Sequence, residues 1–192
     1  MNLKLLAVGT MLASTVAFGA TKPAQFSVFP GVQFGATKYD SISNFSFNLL
    51  GAENQNVSGL DLSLIGYRQV NGNFNGFHAA LFGLEAFRVR GNMSGVSIAL
   101  WNDVHGNLNG GTIGVVNTTD GNSVFNFGGV NITRGTATVQ IGFVNYAEST
   151  KGLQLGFVNA TRNLDGVQVG LVNYATNGIF PVLPIVNFRK SF

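Results

Sequence analysis

A fourteen-residue repeat held in constant register constrains this chain more than any other feature. Its clearest copies read Val139-Gln-Ile-Gly-Phe-Val-Asn145, Leu153-Gln-Leu-Gly-Phe-Val-Asn159 and Val167-Gln-Val-Gly-Leu-Val-Asn173. Degenerate copies begin at Gly111, Phe125 and Pro181, so the starts from 111 to 181 differ by 14 each time. Looser copies reach back to Val96, Phe77, Leu60 and Phe45 at spacings of 15, 19, 17 and 15. A period of this length means that each unit covers itself on the next, which specifies a solenoid or a closed array rather than an ordinary globular core.

Aligned on their first residue, the copies alternate with period two, the mark of a strand. Columns one, three and five are apolar, as in Leu60, Leu62 and Leu64 or Leu153, Leu155 and Phe157. Hydrophobic burial makes these the expected inner face. Column two is polar (Ser46, Asp61, His78, Ser97, Thr112, Asn126, Gln140, Gln154, Gln168) and is expected to point outward. Column four is small, from Ala80 and Ala99 to Gly170. Column seven is Gly51, Gly66 and Gly83, then Asn102, Asn117, Asn131, Asn145, Asn159, Asn173 and Asn187. By parity these Asn side chains face the apolar side, where a ladder of amides bonded from copy to copy would satisfy them. On this assignment Asn159→Leu should destabilise the chain more than Gln154→Leu.

Column six runs apolar through Phe82, Trp101, Val116, Val130, Val144, Val158 and Val172, a candidate interaction stripe if it does not turn inward at a corner. Between strands, an apolar residue recurs three places before the next copy at Val57, Phe74, Met93, Leu108 and Leu164. In a solenoid that residue points inward from the return segment; in a barrel hairpin it would sit at an exposed tip.

Two all-β architectures therefore compete: a β-solenoid of tandem repeats and an antiparallel outer-membrane β-barrel. Uniformly short connections favour the solenoid, because barrels alternate short turns with long loops. Pro181 and Pro184 also fit poorly in a strand that must bond on both sides, whereas they suit the capped edge of a last coil. Lys190 breaks the alternating apolar ending expected of a barrel, although the C-terminal Phe192 matches one.

Residues 1–20 combine Lys4, an apolar stretch from Leu5 to Phe18 and a small-residue end, the layout of a signal peptide cleaved after Gly19 or Ala20. The remaining 21–192 read as a single repeat domain, with clear repeats over 96–188, degenerate ones over 26–95 and a proline-rich closing unit over 180–192. The absence of cysteine excludes disulfides, thiolate metal sites and a lipid-modified N-terminal cysteine. Removing Lys4 from the formal +3 leaves about +2, scattered too thinly for nucleic acid. Only 10% of residues are charged, which suits a membrane-associated protein or a stacked β-array.

The repeats over Thr138 to Phe188, with the closing Phe180-Pro-Val-Leu-Pro-Ile-Val-Asn-Phe188, resemble those of an uncharacterised family of bacterial surface-repeat proteins with units close to Gly-Leu-Gln-Leu-Gly-Leu-Val-Asn. The resemblance fades towards Phe45. It implies export and a cell-envelope or outer-membrane setting, and it brings no catalytic residues.

No motif for chemistry stands out. His78 and His105 are a coil apart, short of the close ligands that zinc needs. Asp61, Glu85, Asp103, Asp120, Glu148 and Asp165 fall on different copies, so the repeat sets up no adjacent acid–base pair. Asp120-Gly-Asn122 is a turn lacking the other ligands of a calcium loop, and Thr136-Ala-Thr138 occurs once where an ice-binding array needs it in every coil. Asn-x-Ser/Thr sequons such as those at Asn44 and Asn92 arise from composition. The expectation is an exported envelope or surface protein, structural or interacting, without enzyme activity, metal or cofactor. Its partners would be another copy, an envelope protein or a membrane. The alternatives are a small barrel with a passive pore and a carbohydrate-active enzyme with acids clustered in one groove.

Overall fold

Each copy pairs side by side with the next, in parallel, column against like column. In the computed structural model, which describes residues 19–189, Leu153, Gln154 and Leu155 face Val167, Gln168 and Val169, while Asn145 faces Asn159 and Asn159 faces Asn173. The degenerate copies keep the same parallel register, pairing Asp61 with His78 and Ser97 with Thr112. The chain is a β-solenoid of about nine turns and not an antiparallel barrel. Most of the signal-peptide segment and the residues Lys190 and Phe192 lie outside the described residues.

The two faces of the repeat are opposite to the sequence expectation. Column two is inside: Ser46, Asp61, His78, Ser97, Asn126, Gln140, Gln154 and Gln168 are fully buried. Leu60, Phe77, Val96, Phe127, Leu155 and Phe157, from columns one, three and five, are exposed. The inward positions of a late coil are Gln140, Asn145, Ala147 and Thr150, and because neighbours along a strand alternate sides, burying Gln140 turns the flanking columns one, three and five outward. Parity reports which residues share a face, but it does not say which face is inside.

The buried amides tolerate this because the stack satisfies them. Asn102, Asn117, Asn131, Asn145 and Asn159 each donate one Nδ2 hydrogen to the Oδ1 of the next Asn, at 2.8–2.9 Å. Their second hydrogens go to the carbonyls of Ile113, Phe127, Ile141, Leu155 and Val169 at 2.9–3.1 Å. A second ladder runs the opposite way, Gln168 to Gln154 to Gln140, at 2.7 Å per step. A third lines the return turns, where Asn56, Asn73, Asn92, Asn107 and Asn122 each accept from a backbone N–H one coil on. In-register repetition thus gives each buried amide the partner whose absence costs roughly 1–3 kcal/mol.

The Asn column is buried, as read from the sequence, but on the side opposite the apolar columns, and its neighbour explains the glycines. A Cβ on Gly156 would lie 2.2 Å from the Gly142 carbonyl and 2.6 Å from Asn145 Nδ2, and Gly128, Gly142 and Gly170 are equally closed. Columns four and seven therefore compete for one space at the corner. The early coils solve it the other way, with Asn48, Ser63 and Ala80 pointing in at column four and Gly51, Gly66 and Gly83 at column seven in left-handed backbone (φ 116°, 108° and 67°).

The return-segment residues Val57, Phe74, Met93, Leu108 and Leu164 point inward, as expected of a solenoid. The first four join Ile42, Val70, Phe87, Val89 and Val104 in an apolar core confined to the N-terminal half. Thr21–Phe29 opens the stack, pairing in parallel with Ser41–Asn48 and antiparallel with the short Val32–Phe34. At the other end Val182–Phe188 folds back antiparallel on Val167–Ala175. Asn187 consequently faces Gln168 instead of Asn173 and leaves the Asn column, donating to the Phe180 carbonyl at 3.2 Å. The register of 14 fails there because the edge strand reverses, placing Pro184 on the open rim.

Two outcomes follow for thermal unfolding. Asn159→Leu and Gln154→Leu each break a ladder in the middle, so both should lose roughly 1–3 kcal/mol and neither should be clearly worse, while Leu155→Gln on the outer face should change little. Gly156→Ala should cost at least about 1–3 kcal/mol by overpacking, and Asn145→Ala should not rescue it, because the shortest contact is with the backbone carbonyl of Gly142.

Candidate functional site: an apolar outer face and a buried charge cluster

With columns two and seven inside, the solenoid presents an apolar exterior. From Phe45 to Val172, columns one, three, five and six hold no charged side chain in any coil, and the indole of Trp101 is their one hydrogen-bonding group. The proposed stripe is one edge of this surface. Phe82 is 68% exposed and Trp101 44%; Val144, Val158 and Val172 are exposed, while Val116 and Val130 are half-buried. Column six therefore faces out rather than bending into the core. At the third early corner the register slips between Ser63–Ile65 and Ala80–Leu84, pushing out Leu81, Phe82 and Leu84. A surface of this extent exceeds what water-facing proteins ordinarily show.

Within it, the late coils form a furrow of about 570 Å³. The column-four glycines Gly128, Gly142, Gly156 and Gly170 make its floor. One wall includes Phe127, Ile141, Leu155 and Val169, the other Phe143, Phe157, Leu171 and Ile185. Phe143 and Phe157 stack at 5.2 Å between centroids and 7° between planes. No titratable side chain lines the furrow. The glycines that the Asn ladder demands are thus also what lets a partner approach the backbone.

Charge lies on the opposite edge, in turns and column ten. There Arg134 pairs with Asp120, Arg162 with Glu148 at 3.1 Å and Arg189 with Asp165 at 3.2 Å. Exposed pairs of this kind contribute little stability. Asp103 bonds Arg88 at 2.7 Å and Thr118 at 2.8 Å, with His105 at 3.3 Å. Burial raises its carboxyl, but these hydrogen bonds hold it below its ordinary value. Among the described residues no group of three or more His, Asp or Glu is placed to hold a metal ion.

The structure does gather acids that the sequence reading left dispersed. Asp61 and His78 occupy column two of successive coils and face each other. Asp61 Oδ2 accepts from Arg68 Nε at 2.8 Å and meets His78 Nδ1 at 3.2 Å, while Asp61 Oδ1 accepts from Asn48 Nδ2 at 2.9 Å. His78 Nε2 lies 3.0 Å from Glu85 Oε2 but off the line of a hydrogen bond, so the Glu85 oxygens lack aligned partners. The imidazole stacks on Phe87 at 3.9 Å and 9°. All four charged groups are fully buried. The column assignment was available from the sequence; with the face reversed, the stacking of Asp61 on His78 was not.

Burial opposes both charges, but partners prevail. The Arg68 charge and hydrogen bonds from His78 and Ser46 hold the Asp61 carboxyl well below the usual range. The hydrogen bond to Asp61 and the nearby Glu85 raise His78 above its ordinary value. With His78 protonated, two cations balance two carboxylates. The cluster is closed off from solvent and joins successive coils through Asp61 and His78.

Comparison with protein-family models, with curated proteins and with solved structures finds no match to this chain.

The cluster has a signed pH dependence. Because the folded-state value of His78 is raised, its contribution is complete below the unfolded value of about 6.5 and is lost as pH rises through the folded value. The melting temperature should accordingly fall as pH is raised above about 6.5. His78→Asn should flatten that alkaline slope and, at pH 6, lose about 3–5 kcal/mol by leaving buried carboxylates without their cation.

Proposed function

We propose that this protein is an exported, non-enzymatic structural or interaction component of a bacterial cell envelope. The observation that carries the reading is the union of a rigid polar-cored solenoid with an uninterrupted apolar exterior. A chain with that exterior is suited to contact, whether with its own kind, an envelope protein or a membrane. The coils pair in parallel rather than closing as an antiparallel barrel, which removes the fold on which the passive-pore alternative rested. The furrow offers no acid or base to a glycan, and Asp61, Asp103 and Asp165 sit in the core, on the charged side and in a separate turn respectively.

Two features support export. The segment before Ala20 has the composition of a signal peptide, with Ala17 and Gly19 as the small residues before the cut. Ala20 N donates to Asp40 Oδ1 at 2.7 Å, and Asp40 also accepts from the Thr37 amide and hydroxyl at 2.8 and 2.9 Å. Cleavage after Gly19 would convert that amide to an ammonium already seated on a carboxylate.

Fractionation of cells expressing the full chain should place the protein outside the inner membrane, with Ala20 as the N-terminal residue by mass spectrometry. A mature cytoplasmic form retaining Met1 would overturn the reading.

A further inference from the structure

We infer that the apolar face is the interface of a parallel homodimer, in which the column-five ridge of each copy enters the glycine-floored furrow of the other. Ridge and furrow lie side by side along the same coils: Phe143, Phe157, Leu171 and Ile185 beside Gly128, Gly142, Gly156 and Gly170. A two-fold axis lying between them in the plane of the face, parallel to the solenoid axis, sets each ridge opposite the partner's furrow. The same surface thus serves both copies, as an isologous contact requires. An axis perpendicular to the coils' stacking direction would instead set ridge against ridge.

The dimensions suit a second copy. The ridge and furrow span the four late coils, about 250–320 Å² per copy at roughly 4.8 Å per coil and four to five residues of about 3.3 Å across. Only with the apolar face of the earlier coils also covered, about nine coils in all, does the buried area of two copies reach about 1,200–1,400 Å², the low end of the range for stable complexes. The arginines of the late coils, Arg134, Arg162 and Arg189, are engaged with Asp120, Glu148 and Asp165 away from the furrow, while Lys151 is exposed two residues before column one. The ridge also ends on a strained residue: Ile185 stands at φ 71°, a conformation that disfavours a β-branched side chain, and is 72% exposed. The returning strand thereby extends the apolar wall one coil further.

The inference uses the same face as the proposed function but does not depend on export, so a dimer of a protein found elsewhere in the cell would leave it standing. The protein purified from cells expressing the full chain should sediment in aqueous buffer as a dimer at micromolar concentration. Phe143→Asp combined with Phe157→Asp should weaken dimerisation at least tenfold. The melting temperature extrapolated to low concentration should stay unchanged, because both rings are exposed in the single copy. Since the chain has no cysteine, Phe157→Cys provides a unique thiol that a short bismaleimide should join to its counterpart, whereas Lys151→Cys on the polar edge should remain unlinked. A monomer that floats with phosphatidylcholine vesicles would overturn the inference in favour of a lipid-facing surface. A monomer indifferent to lipid, a dimer untouched by the double substitution, or linkage through Lys151→Cys would each overturn it as well.

Discussion

The structure depends on hydrogen bonding between identical amides stacked one coil apart. An isolated Asn or Gln inside a protein is costly, because water's hydrogen bonds are lost and seldom fully replaced. A ladder changes that balance: Asn145 receives from Asn131, donates to Asn159 and spends its remaining hydrogen on the Leu155 carbonyl. Every rung is both donor and acceptor, so the arrangement works only if the coils stay in register. From 111 onward the copies hold register with 14 residues each until the chain reverses, and the step from Asn102 to Asn117 keeps it across 15 because the extra residue is taken up outside the ladder. Where the early coils vary in length, the Asn ladder is absent and an apolar core with a buried ion cluster takes its place.

One steric rule links that ladder to the exterior. The Asn side chain occupies the space that a column-four Cβ would need, so coils with Asn at column seven from Gly114 onward carry Gly at column four. Ala99 with Asn102 is the transition between the two solutions. Stripped of Cβ atoms, column four becomes the floor of the furrow, and the flanking Phe, Leu and Ile residues become its walls. An internal hydrogen-bond requirement thereby shapes the outer surface. The buried amides also displace the large apolar residues outward, leaving a face whose contact with water is unfavourable until something covers it.

Much of this was legible in the repeat. Strand identity, the column assignments and the inward return residues follow from period, because backbone geometry enforces them locally; the Asn column is buried as expected, but on the side opposite the apolar columns that parity assigned to it. The solenoid was favoured over the barrel by Val57, Phe74, Met93, Leu108 and Leu164, which have a use only if the chain coils. The sense of the faces was not legible. The usual rule that apolar residues go inside failed for Leu60, Leu155 and Phe157, since stacking in register lets buried Gln and Asn bond from coil to coil. The ion cluster was hidden by the same error, for Asp61 and His78 had been set on the outside.

The sequence by itself therefore determined the repeating unit, its strand and its turn, and the alternation of sides up to column five. These are short-range properties, fixed by 2.0-residue periodicity and by the equality of spacing between copies. Only the tertiary structure decided which face closes on itself, where the register ends and which charges meet. Those outcomes depend on the reversal at Val182–Phe188, which sets Asn187 against Gln168, and on hydrogen bonds between residues far apart in the chain whose worth is not a property of any one copy.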